Sequence, residues 1–135
     1  MITGKFAISV HILTLLSKFP DEYLSSDFIA GSLNINAVLV RKEIANLKKN
    51  HLVKSREGKN GGTALAQDAS KINFEDILKI THEELHLGFS KNEPCPDCVV
   101  GKKINQNLES LYTDINNMVN EKLRKVSLKE FSERF

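Results

Sequence analysis

Apolar residues at the start of the chain recur at helical spacing. Phe6, Val10, Leu13 and Leu16 or Phe19 return every three to four residues, the period of a helix with one buried face. The spacing predicts a helix from about Gly4 to Lys18, broken by Pro20-Asp21-Glu22. A second helix starts at Ser25 or Ser26, either of which suits an N-cap, and carries Phe28, Ile29 and Leu33 as its apolar positions. Asn34-Ile35-Asn36 has turn chemistry. A third helix, from about Ala37 to Asn50, has the buried stripe Val40, Ile44 and Leu47. Two short helices joined by a three-residue turn form a helix-turn-helix pattern. Val38, Arg41, Lys42, Lys48 and Lys49 fall off the stripe, so the third helix packs with one face and turns a basic face outward.

The pattern then changes period. Two β-prone runs, 52–57 and 63–66, flank Gly58-Lys59-Asn60-Gly61-Gly62, a hairpin signal. A hairpin directly after such a helix is a wing. Asn73 followed by Glu75 and Asp76 opens a short helix to about Thr81. Residues 88–101 read as a loop, and a long helix runs from about Lys102 to Lys125. Ile104, Leu108, Leu111, Ile115 and Met118 form a near-heptad seam along it, widened by Val119, Leu123 and Val126. Ser127 and Glu130 make a capping box that opens a final short helix with Phe131 and Phe135. The expected fold is mainly α with a small β-wing: a winged helix-turn-helix domain over 1–82, a loop over 83–101, and a dimerisation helix with the short final helix over 102–135.

Length and charge sharpen this picture. A chain of 135 residues is one domain's worth, and no apolar stretch is long enough to span a bilayer. The apolar N-terminal run lacks a charged leader and a cleavage site, so it reads as a retained helix and the expected location is the cytoplasm. Net charge is only +2, but residues 41–60 alone carry +5, while 61–135 carry −2. That concentration of Arg41, Lys42, Lys48, Lys49, Lys54, Arg56 and Lys59 suits either a nucleic-acid contact or a solvated face. The long helix has more apolar surface than so small a domain needs. A second copy of the chain is the expected partner, since closed two-fold dimers are the commonest oligomers.

The segment NINAVLVRKEIANLKKNHLVKSREGKNGGTALA resembles the recognition helix and wing of the Rrf2 family of bacterial transcriptional regulators, with Gly58, Gly61, Gly62 and Leu65-Ala66 matching the family's wing. The similarity extends to the N-terminal, short and C-terminal helices. It implies a homodimeric repressor of double-stranded DNA, not an enzyme and not a membrane protein, with one helix in the major groove and the wing over the minor groove. The matching contact positions are Asn36, Val38, Arg41 and Lys42 on the third helix, Arg56 and Lys59 on the wing, and Thr3 and Lys5 at the first helix. Ser26 and Asn60 complete the candidate set. Arg41 is best placed for a guanine edge. Glu57 stands where relatives often carry Arg, leaving Arg56 as the substitute. Many relatives hold an iron–sulfur cluster through three cysteines. This chain has only Cys95 and Cys98, so no standard cluster is expected. CVVGKKI instead resembles a cysteine-poor branch in which a single Cys, here Cys98, precedes a Val-Gly-basic motif.

Three further chemistries are written into residues 81–103. His82-Glu83-Glu84-Leu85-His86 is a literal H-E-x-x-H, which on a helix places two imidazoles on one face for zinc. A protease also needs a third ligand and a cleft, and the sequence offers neither. His82, His86, Cys95 and Cys98 together suit a tetrahedral zinc site, or are two exposed histidines and two unrelated thiols. The Cys-x-x-Cys pair is also a redox candidate, with Lys102, Lys103 and the positive end of the following helix expected to favour the Cys98 thiolate. The rival to a DNA reader is a zinc-binding or protein-interaction module that reuses the fold.

Overall fold

Four α-helices, those after Ser25, Asn36, Asn73 and Ser127, begin where a short polar side chain closes the first turn, because the leading backbone amides have no partner within the helix. The computed structural model describes residues 4–85 and 87–135. Its elements run α1 (Lys5–Lys18), α2 (Ser26–Leu33), α3 (Ala37–Lys49), β1 (Val53–Arg56), β2 (Gly62–Leu65), a 3-10 turn (Ala69–Lys71), α4 (Phe74–Thr81), α5 (Ile104–Arg124) and α6 (Leu128–Ser132). Ser25 Oγ accepts from the Phe28 amide at 3.1 Å and Asn36 Oδ1 from the Val38 amide at 2.8 Å. Asn73 Oδ1 and Ser127 Oγ do the same for Asp76 and Glu130. Asn34 ends α2 in the left-handed region, φ 54°, and so reverses the chain into α3 within three residues.

α1 is the central column of the core. Its Ile12, Leu13 and Leu16 are buried with Ile29 of α2, Val40 and Leu47 of α3, Val53 of β1 and Ile77 of α4. The strands pair antiparallel in the register Val53↔Leu65 and Arg56↔Gly62. Leu24 exchanges both backbone hydrogen bonds with Thr63, at 2.8 and 2.9 Å, which fastens the stretch before α2 to the wing.

The sequence leaves open what the short final helix packs against, and the structure gives the answer. After α5 the chain turns back, and α6 packs on α1. Leu128 is fully buried in the core and its amide donates to the Ile72 carbonyl at 2.7 Å. Phe131 lies 4.9 Å from Phe74 between ring centres, and Lys18 Nζ donates to the Phe135 carbonyl at 2.9 Å. Leu123 and Val126 are partly buried against this core. An apolar stripe says that a face is covered; it does not say by what.

α5 leans on the domain through α4. Arg124 forms a two-point contact with Glu75, at 3.3 Å through Nε and 2.8 Å through Nη2, and Lys79 Nζ adds a third donor at 3.3 Å. The Arg124 guanidinium, helped by Lys79, holds the Glu75 carboxyl below its ordinary range against the opposing effect of burial. A carboxyl depressed in the fold stabilises it above the ordinary carboxylate pKa and loses that contribution as pH falls through the depressed value. Arg124→Ala is therefore expected to lower the melting temperature at pH 7. The gap to the parent should close as thermal melts are taken toward pH 3; a gap independent of pH would show that packing, not charge, joins the two helices.

Candidate nucleic-acid interface

α3 separates its faces as its sequence predicts. Val40, Ile44 and Leu47 are buried, while Arg41, Lys42, Lys48 and Lys49 are exposed. Val38 is 64% exposed and Leu39, a residue the sequence did not single out, also faces solvent. Two exposed apolar side chains beside cations suit a groove that presents thymine methyls among polar base edges. Asn36 is less free than expected. Its Oδ1 is engaged as the N-cap of α3, which leaves its Nδ2 as a donor.

The structure brings the other candidates together through a five-residue segment, Tyr23 to Asp27. At one end, Arg41 Nε donates to Ser26 Oγ at 3.3 Å and Arg41 Nη2 lies 3.6 Å from Asp27 Oδ1. At the other end, the Arg56 guanidinium stacks over the Tyr23 ring at 4.2 Å, with Lys54 Nζ at 6.0 Å. Arg56 Nη2 also donates to the Asn60 carbonyl at 2.7 Å. Arg56 is thus folded back on the root of the wing, whereas Lys59 and Asn60 stand exposed at its tip. Lys5 is half-buried at the start of α1, and Thr3 lies outside the described residues. Tyr23 and Asp27 escaped the sequence reading because their partners are more than a dozen residues away.

Two of the wing glycines are required by close backbone approach. Gly61 and Gly62 are half-buried. A Cβ on Gly61 would run into the Arg56 carbonyl, and one on Gly62 would lie 2.5 Å from the Leu24 carbonyl. They allow the hairpin to close on its own backbone and on the segment before α2, rather than baring amides for phosphate. Gly58, at φ 101°, has open space around it.

The described part of the H-E-x-x-H stretch is not helical: His82 ends α4 in the left-handed region, φ 54°, and Glu83 to Leu85 lie outside any helix. His86 lies outside the described residues. Glu83 is buried, and its Oε1 accepts from the Phe6 amide at 3.3 Å, capping the start of α1 from across the molecule. Cys95 and Cys98 are both exposed thiols. The Gly101 amide, then the Val100 amide, draw the Cys98 thiol below its ordinary range. The cause is a local turn rather than Lys102, Lys103 or the end of α5, which begins only at Ile104. Among the described residues no three His, Cys, Asp or Glu side chains converge as metal ligands.

A helix-turn-helix with its basic helix face open to solvent, followed by a two-stranded wing whose tip is exposed, defines the winged helix-turn-helix class of DNA-binding regulators. The Rrf2 family pattern, described as an iron-dependent transcriptional regulator, matches residues 2–134, and the chain belongs to this family. It is 35% identical over 130 residues, 96% of both chains, to YwnA of Bacillus subtilis (strain 168), named as an HTH-type transcriptional regulator. Among solved structures it is similar to T. potens IscR, with a TM-score of 0.76 and 21% identity over 99% of this chain and 87% of that one. It is also similar to CymR (YrzC), the global cysteine regulator of B. subtilis, with a TM-score of 0.72 and 24% identity over 100% and 98% of the two chains. The family and its relatives are transcriptional regulators, not enzymes. Cys95 and Cys98 supply two of the four thiolates that commonly hold an iron–sulfur cluster. Among the described residues no helix is long and apolar enough to cross a membrane.

Proposed function

We propose that the chain is a cytoplasmic homodimeric repressor that binds double-stranded DNA without an iron–sulfur cluster or zinc. The observation that carries this reading is the shared presentation of Arg41, Lys42 and the exposed wing tip at Lys59, linked through the Tyr23–Asp27 segment. Bases are read by α3, with Arg41 on guanine, and Lys42, Lys59 and the start of α1 anchor phosphates. The α5 seam supports the dimer. Leu111 is 51% and Met118 70% exposed, and Ile104, Leu108, Ile115 and Val119 are half-buried, so a second α5 has an apolar strip to cover. Two-fold pairing sets two α3 helices about one DNA turn apart, about 34 Å.

Cys98 is the proposed signal-receiving thiol. With a peroxide as oxidant, its thiolate attacks one peroxide oxygen, the O–O bond breaks, and the sulfur loses two electrons to become a sulfenic acid. The Cys95 thiol then condenses with it, releasing water and closing a disulfide next to α5.

One experiment tests the reading: fluorescence anisotropy of the full chain on promoter DNA from its own locus, across salt and with peroxide. Affinity should fall steeply with salt, by a slope of about 0.9 per phosphate contacted, and Cys98→Ser should abolish any peroxide response. Leu111→Glu with Met118→Glu should yield a folded monomer by sedimentation, with half-site affinity only. Salt-independent or absent binding would favour the protein-interaction module instead.

A further inference from the structure

We infer that Asp27, together with Ser26, is a specificity-determining positioning residue that fixes how Arg41 meets a base. The inference rests on the DNA-reading role proposed for α3.

Arg41 has five N–H donors on a planar fork. With Nε held by Ser26 Oγ at 3.3 Å, and Nη2 drawn toward Asp27 Oδ1 at 3.6 Å, the side chain is held from behind. Those two contacts use one edge of the guanidinium and leave the end-on Nη1/Nη2 pair, which matches the N7 and O6 acceptors of guanine. A free arginine of this length loses several rotors on binding; one already tethered loses fewer.

Stability does not account for the contact. The Arg41 and Asp27 side chains are 57% and 83% exposed, and an exposed pair at that separation adds little to folding. The N-terminus of α2 already has its cap in Ser25. A carboxylate on a surface that meets phosphates is a cost to any DNA affinity that is not sequence-specific. It is compensated where it steers a neighbouring arginine onto the right base. Asp27 thereby trades general affinity for discrimination.

The test selects operators from a randomised duplex library with the full-length parent, Asp27→Ala, Asp27→Asn and Arg41→Ala, reading preference base by base. Arg41→Ala marks the base pair that Arg41 reads. Both Asp27 variants should lose about tenfold of the preference at that same base pair while binding random DNA as well as the parent or better. Adding Asp27→Ala to Arg41→Ala should cost nothing more there. Asp27→Glu should restore part of the preference. If the Asp27 variants keep the parental preference and lose only melting temperature, Asp27 is a helix-end charge and the inference is wrong. If the parent itself shows no base preference, the DNA-reading role fails first and takes this inference with it, an outcome recognisable without any variant.

Discussion

Leu128→Ala is expected to lower the free energy of unfolding by about 2–5 kcal/mol, the range for truncating a fully buried leucine. Leu128 is sealed among α1, the Ile72 strand-like turn and α6. A domain of this size holds only about 5–15 kcal/mol in total, so a substitution seven residues before Phe135 would endanger the DNA-binding half of the molecule. Urea unfolding at two protein concentrations checks it. Loss of stability at both concentrations places α6 in the winged-helix core. A loss that vanishes at high concentration would place α6 in subunit association instead.

Arg41→Ala and Lys59→Ala should separate sharply. Arg41→Ala is expected to remove about 1–3 kcal/mol of discrimination at one base pair, leaving binding to random DNA much less affected. Lys59→Ala should weaken operator and random DNA alike and reduce the salt slope by about 0.9. Anisotropy titrations on operator and scrambled duplexes, each at several salt concentrations, give both quantities. Identical behaviour of the two variants would overturn the division of labour between helix and wing. Lys59 is the wing cation chosen for the contrast because Arg56 is already stacked on Tyr23 and bonded to the Asn60 carbonyl.

The sequence by itself determined much of what has a short-range cause. The period of Val40, Ile44 and Leu47 fixed which face of α3 is buried and which is basic. Asn73 and Ser127 marked helix starts, and Ser25 or Ser26 a third, because a short polar side chain there can bond an amide two or three residues on; Asn36, legible only as part of a turn, does the same. The wing glycines marked the hairpin, although their reason is close backbone approach rather than openness. Tertiary structure alone decided what meets what. Glu83 caps α1 across 77 positions, Arg124 reaches Glu75 across 49, and Arg41 reaches Ser26 across 15. It also decided that Leu128 of α6 belongs to the core. Periodicity and capping are local, so they announce a buried face or a free amide; the partner is chosen only when the chain folds back and distant surfaces compete for the same space.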